Sequence, residues 1–364
     1  MKNIAFITPW PPQRTTITEY TFGLVKGLMR KGNNITVFTN YENPTLLEGV
    51  SIDNRVVGDI LNMSEYDEII YMIGNEAVDN LYILNMLKKF GGVVHIHDLV
   101  MNRIIIDSIQ GINKLGPYIN LIIKWYGLEN KDFLYTLLTN GVLPWDGGTA
   151  FHFPLFEEVI QYADATIVTS EFMKRKISDE FPYMRVYKVL PLYEDFLPNI
   201  VVNDDHRGLN ISVYIDDSPQ NRADKIIEAF YRVNRQNKKC SLSIIKEKNV
   251  ECTSILKYIQ QLDLGDFVYV YEDTGKELEM QFLQKIDVFI SINYPSLGES
   301  SPVVIKALQT GTPVIVNNIG WYSELPEFVD KILFKDCEEF LFEIILRYMS
   351  ETDVLRQKKE DFLK

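Results

Sequence analysis

Residues 287–316 spell one complete strand–helix–strand unit, and that unit constrains the fold more than any other stretch of the chain. Asp287 to Ile292 (Asp-Val-Phe-Ile-Ser-Ile) is an apolar run of buried-strand length. Pro295 and Gly298 break it. Ser300 or Ser301 can cap the next helix, with Pro302 in its first turn. Gly311 ends that helix, and Thr-Pro-Val-Ile-Val316 starts another strand. Glu299 therefore falls at the carboxyl end of a strand, beside helix amides that lack intrahelical partners. In open α/β sheets that edge is where ligands bind. Amides and a helix dipole suit a phosphate, and a neighbouring carboxylate suits sugar hydroxyls. The pairing points to a sugar that carries a phosphate.

The same rhythm runs through the rest of the chain. Short β-rich runs at 3–8 and 34–39 flank a helix over 18–31, and 68–73, 93–97 and 165–169 repeat the pattern with helices between them. Such alternation predicts a parallel, doubly wound sheet. Residues 100–150 interrupt it with an apolar, aromatic-rich helical segment and the loop Pro144-Trp-Asp-Gly-Gly148, read as an insertion near the ligand face that could serve an acceptor. A polar break, Asn203-Asp-Asp-His-Arg-Gly208, places a domain linker. The rhythm then restarts: strand 210–215, helix 220–236, strand 241–245, helix 252–262, strand 267–271, helix 276–285, and a helical tail over 336–364. The expected fold class is α/β, with one doubly wound domain over 1–203 and a second over 208–340. A C-terminal helix over 341–364 is free to pack back on the first domain.

At 364 residues two domains are the natural expectation. A net charge of −13 argues against nucleic acid as the main partner and weakens attraction to anionic lipid, though peripheral membrane contact stays open. Cys240, Cys252 and Cys337 are widely spaced, with no CxxC, which argues against a disulfide framework or a zinc site. The apolar run at 4–7 is too short for a signal-peptide core, and no window approaches the ~18 apolar residues of a membrane span. A reducing cytoplasm is the expected location. No Gly-x-Gly-x-x-Gly follows the first strand, and no Gly-x-Ser-x-Gly occurs, which removes the dehydrogenase and hydrolase-elbow readings.

Five motifs, taken in order, resemble one family. They are Pro9-Trp-Pro-Pro12 with Ile17-Thr-Glu-Tyr20, Tyr71-Met-Ile-Gly-Asn75, Val93-Val-His-Ile-His-Asp98, Pro295-Ser-Leu-Gly-Glu-Ser-Ser301, and Gly320-Trp-Tyr-Ser-Glu-Leu-Pro326. Together they are similar to the family-4 (group 1) retaining glycosyltransferases. That resemblance implies a GT-B fold, two Rossmann-like domains facing a central cleft, and transfer of a sugar from a nucleotide-diphosphate sugar, with no metal and no other cofactor. The acceptor would be a glycan, a lipid-linked or a protein-linked group, in surface polysaccharide, glycolipid or glycoprotein assembly. Oligomeric state, sugar and base are not legible.

The resemblance also implies roles. Arg222, with Lys225 one helical turn on, would answer the charge on the leaving diphosphate. Ser300, Ser301, Pro302 and Val303 form the amide-rich helix start beside the phosphate. Glu299 would accept from donor sugar hydroxyls, and Glu324 has a weaker claim of the same kind. His97 would bind the donor sugar or assist acceptor deprotonation, with Asp98 orienting it or meeting the acceptor. Thr16 and Asn75 stand on the acceptor side. The plain alternatives are a solvated basic helix face for Arg222 and Lys225, an ordinary cap for the serines, and a core histidine for His97. His95 points to the same side of the strand as His97, but no third metal ligand follows at useful spacing. Five places depart from the family pattern: the strand end Val213-Tyr-Ile-Asp-Asp217 stands where a glycine-containing one is usual, Asn293 holds the place of an arginine, and three more follow. Thr16 and Asn221 replace glycine and lysine, and Lys306 or Ala307 stands where a second glutamate is usual. These departures fit a second reading, a non-catalytic GT-B-like accessory subunit. A third is a sugar-nucleotide epimerase, which would react without acceptor.

Overall fold

In a computed structural model the chain forms two compact units, Met1–Glu194 with Leu297–Ser300, and Asp195–Ser296 with Ser301–Lys364. The structure describes residues 1–13, 15–54, 62–111, 113–145, 147–191, 208–216, 218, 220–236, 239–247, 250–272 and 282–361. The expected linker lies outside the described residues except for Gly208. So do Asp146, Asp217 and most of the expected helix 276–285.

The first unit runs β1 (Asn3–Ile7), α1 (Thr16–Arg30), β2 (Asn34–Phe38), β3 (Val50–Asp53), β4 (Glu68–Ile73), α2 (Ala77–Phe90), β5 (Val93–Ile96), α3 (Asn102–Ser108), α4 (Leu115–Tyr126), α5 (Lys131–Thr139), α6 (Glu157–Ile160), β6 (Ala165–Val168), α7 (Glu171–Glu180), β7 (Arg185–Lys188). Its seven strands are ordered β3-β2-β1-β4-β5-β6-β7, and every pairing is parallel. Strand order reverses at the β1/β4 neighbours. β1 and β4 are nearly continuous apolar runs because parallel strands are covered on both faces; Ala5, Phe6, Ile7, Tyr71, Met72 and Ile73 are fully buried. Helix α1 starts where the Thr15 hydroxyl accepts from the Thr18 amide at 3.1 Å. Helix α2 stops at Gly91, whose φ of 65° only glycine adopts freely.

The insertion is part of this unit's core rather than an appendage. Tyr118, Ile122 and Leu134 are fully buried in it. Asn102 ties it down, donating to the carbonyls of Ala150 (3.0 Å) and Phe153 (2.8 Å) and accepting from the Tyr118 hydroxyl at 2.5 Å. The Tyr126 hydroxyl donates to Glu157 at 2.6 Å and accepts from the Leu155 amide at 2.7 Å. Glu158 accepts from Lys124 Nζ at 2.9 Å and Trp125 Nε1 at 3.0 Å.

The second unit runs β8 (Leu209–Ile215), α8 (Ala223–Gln236), β9 (Cys240–Lys246), α9 (Thr253–Gln261), β10 (Val268–Glu272), β11 (Val288–Ser291), α10 (Pro302–Gln309), β12 (Val314–Asn317), β13 (Asp330–Ile332), α11 (Cys337–Ser350), α12 (Thr352–Asp361). Six parallel strands are ordered β10-β9-β8-β11-β12-β13, reversing at β8/β11. The helices α11 and α12, in the tail that the sequence left free to pack back on the first domain, contribute to the second unit's core. Leu341, Ile345, Tyr348 and Leu355 are buried in the second core, and α11 packs along α8. Lys358 and Lys359 tie α12 to Asp330 (2.9 Å) and Asp287 (3.3 Å) of the same unit.

Candidate functional site

Each sheet has one place where strand order reverses, and loops leaving the carboxyl ends of neighbouring strands diverge there to leave a crevice. In the first sheet this is the end of β1 and β4, with β5 beside them. The loop after β1 carries a cis Pro11–Pro12 peptide, and Trp10 is buried in it, its indole N–H donating to the Thr45 carbonyl at 2.9 Å. Thr16 is the first residue of α1, so its amide has no intrahelical acceptor. Gly74, just past β4, lies so close to α1 that a Cβ there would sit 2.7 Å from the Ile17 Cδ1. Asn75 plays a structural part. Its Oδ1 accepts from the amides of Arg103 (2.9 Å) and Ile104 (3.4 Å), capping α3 from outside.

His97 and Asp98 follow β5. Burial pushes the Asp98 carboxyl up to about 6, partly offset by a hydrogen bond from the Asn75 backbone amide. Burial pushes the His97 imidazole down to about 4, so it is neutral at pH 7. Its Nε2 is buried and has no hydrogen-bond partner among the described residues. A ring so reluctant to take a proton is a poor general base and a good neutral hydrogen-bonding group. Tyr20 of α1 meets it edge-on at 5.6 Å between centroids.

In the second sheet the crevice is at the ends of β8 and β11. Asn221 and Asn293 form an antiparallel bridge there, the Arg222 amide donates to the Ile292 carbonyl at 2.9 Å, and the Tyr294 amide donates to the Gln220 carbonyl at 2.8 Å. Helix α8 therefore begins at Ala223 rather than 220, because 220–222 pair with the end of β11. The Arg222 guanidinium makes two bonds to Asp224, at 2.9 and 2.7 Å, and lies 5.3 Å from the centre of the Phe334 ring. Lys225 is paired with Glu338. Both cations are held firmly charged by these carboxylates.

Between Ser300 and Ser301 the geometry decides for Ser301. Its extended backbone (φ −95°, ψ 115°) caps α10, and its hydroxyl accepts from the Val304 amide at 3.3 Å. Pro302 follows as the first helical residue, leaving the Val303 amide without an intrahelical acceptor. The Glu299 carboxylate accepts from the Leu297 amide at 2.8 Å, which curls the loop on itself. Glu299 lies in the Leu297–Ser300 stretch that groups with the first unit, whereas Arg222, Lys225, Ser301, Pro302 and Val303 all belong to the second. Lys306 is buried on α10. Glu324 closes a 3₁₀ turn, Gly320–Glu324. No group of acidic, histidine or cysteine side chains suited to a metal occurs among the described residues.

Sequence reasoning missed the polar frame that holds this crevice. Asn317, fully buried at the end of β12, accepts from the Asn293 amide at 3.0 Å and donates to the Asn293 carbonyl at 2.7 Å. The Asn293 amide group also donates to the Ser291 hydroxyl (2.8 Å) and the Tyr322 hydroxyl (2.9 Å). The only signal for Asn317 is an amide residue closing an apolar strand. Tyr294 stacks flat on Phe334, 4.0 Å and 8° apart, from 40 residues away in sequence.

No family model matches the chain, and no curated protein matches it in sequence. Solved structures do. HepE from Anabaena, solved in complex with UDP and glucose, superposes over 100% of this chain and 94% of its own, with a TM-score of 0.62 at 12% identity. WaaG, a glycosyltransferase involved in lipopolysaccharide biosynthesis, covers 99% of this chain and 94% of its own, with a TM-score of 0.61 at 12% identity. The fold is GT-B. The pneumococcal O-GlcNAc transferase GtfA, solved with UDP and GlcNAc, covers 81% of this chain (TM-score 0.51, 10% identity), but this chain spans only 54% of that one. At such identities the likeness is one of fold, two Rossmann-like domains in a single chain.

Proposed function

We propose that this chain is a retaining glycosyltransferase that moves a sugar from a nucleotide-diphosphate sugar to a glycan, lipid-linked or protein-linked acceptor. The observation that carries the reading is the turn between β11 and α10. It follows the strand end to which the Arg222 amide is bonded and ends at the capped start of α10, at the strand-order reversal of the second sheet. A diphosphate bound there would receive helix amides and a guanidinium, which stabilise the negative charge that builds as the sugar–phosphate bond breaks. Glu299 would accept from sugar hydroxyls. His97, neutral at pH 7, would hydrogen-bond the donor sugar rather than abstract a proton. Two solved structures of the same fold carry UDP, one with glucose and one with GlcNAc, which supports a nucleotide-sugar donor. Among the described residues no helix is long and apolar enough to cross a membrane, and the proposed setting is the cytoplasm.

The direct test is transfer from a panel of radiolabelled nucleotide sugars, with Glu299→Ala alongside. Transfer that falls by ~100-fold or more in the variant, with unchanged thermal unfolding, supports the assignment. Undiminished turnover removes Glu299 from the site. A second reading, the non-catalytic accessory subunit, draws support from one observation: Arg222 and Lys225 are already paired with Asp224 and Glu338. Thermal unfolding with a set of nucleoside diphosphates separates the two. A transferase is stabilised by at least one of them, and an accessory subunit by none.

A further inference from the structure

His95 has no part in the function proposed above, yet it is the most unusual side chain in the first unit. It is 1% exposed, on the interior strand β5, and its Nε2 has no hydrogen-bond partner among the described residues. Buried polar atoms are almost always paired, so an unpaired imidazole nitrogen needs a reason. The neighbouring ring shows what the side chain does in spite of that nitrogen, namely pack its flat face. The His95 and His97 imidazoles stack face to face, 4.5 Å apart and 12° from parallel. They lie two residues apart on one strand end, so they share a side. Tyr20 of α1 closes the stack edge-on, 5.2 Å from His95 and 5.6 Å from His97. His97 cannot rotate about its side chain without losing both contacts.

We propose that His95 is the positioning residue for His97: its flat ring, with Tyr20 behind it, fixes the plane of the His97 imidazole and so holds that ring in one orientation at the end of β5. This inference rests on the transferase reading for its functional consequence, but the geometry it claims is measurable without turnover. The ring's surroundings keep it neutral. His95 is itself neutral through burial. Tyr20 is a phenol pushed up to about 12, and Asp98 on the same strand end is the nearest acidic group in sequence. Burial alone accounts for the lowered His97 pKa, with no charged side chain of another element acting on it among the described residues.

The test uses the full chain with ¹⁵N-labelled imidazoles. Its four histidines are assigned by single substitution. Two variants separate ring from nitrogen: His95→Gln removes the flat surface, and His95→Phe keeps it. In His95→Gln the His97 resonances should titrate at a midpoint at least one pH unit above wild type, because the ring gains freedom to reach water. Transfer should fall about tenfold or more in kcat, with KM for the donor unchanged. His95→Phe should keep the wild-type His97 titration and most of kcat. Identical His97 titration in His95→Gln and wild type would overturn the proposal, as would a His95→Phe variant as impaired as His95→Gln. Absence of transfer in the wild type would count against the function proposed above, and the resonance titration would still decide the role of His95.

Discussion

At the scale of single residues, the candidate donor site is a set of cations already answered by acids. Arg222 holds Asp224 in a two-bond pair and Lys225 holds Glu338. A diphosphate that binds Arg222 must compete with Asp224 for the same guanidinium. Asp224→Asn should therefore tighten binding of the cognate nucleoside diphosphate by about threefold to tenfold in calorimetry, since a half-exposed ion pair is worth up to ~1 kcal/mol. Loosened binding would show that Asp224 is needed to hold Arg222 in place. Glu299→Gln is a finer probe than removal of the side chain. The glutamine oxygen can still accept from the Leu297 amide, so the loop keeps its turn while the charge is lost. Transfer should drop by roughly 30-fold or more in kcat/KM, with the unfolding midpoint moving little.

At the scale of elements, legibility followed apolar character, so that even the exposed edge strand β10 (Val-Tyr-Val-Tyr) was read. β1, β4, β5, β6 and β8 were evident because central parallel strands are apolar throughout. β3 (Val-Ser-Ile-Asp), β7 (Arg-Val-Tyr-Lys) and β13 (Asp-Lys-Ile) went unseen. They are short edge strands with one free side, where charged residues are tolerated and the apolar signal fades. The start of α8 was misplaced by three residues because the pairing of 220–222 with β11 joins segments about 70 residues apart, beyond any local pattern. Ser301 and Ser300 are equal as caps in sequence, and only backbone angles separate them. Glu299 and Arg222 were legible as candidates; the Asn293–Asn317–Tyr322 frame was not, because amide side chains in strand ends carry no periodicity. Asn75 was read for the acceptor, and the cap its side chain forms on α3 had no local signal. Asn75→Ala should cost about 1 kcal/mol in urea unfolding, as other cap removals do, and a loss below ~0.3 kcal/mol would show that water replaces the cap.

At the scale of the whole molecule, buried acids make stability depend on pH. Burial pushes the Glu157 carboxyl from 4.5 up to about 7, against the opposing hydrogen bond from Tyr126. The folded chain then binds this proton more tightly than the unfolded chain. Stability contributed by the protonated form is fully present below pH 4.5 and is lost as pH rises through about 7. The swing is of order 3 kcal/mol for a group this buried. The unfolding midpoint should rise from pH 8 to pH 6 in the wild type, and Glu157→Gln should flatten that dependence by removing the proton. An unchanged slope in Glu157→Gln would assign the effect elsewhere, with Asp98, pushed up to about 6, as the next candidate.

The proposed activity depends on a diphosphate lodging at the turn between β11 and α10, against Arg222. Isothermal titration with UDP, ADP, GDP and TDP, on the wild type and on Arg222→Ala, tests this most directly. At least one nucleotide should bind the wild type and lose tenfold or more in affinity in the variant. Binding that is absent throughout, or that survives Arg222→Ala undiminished, would contradict it.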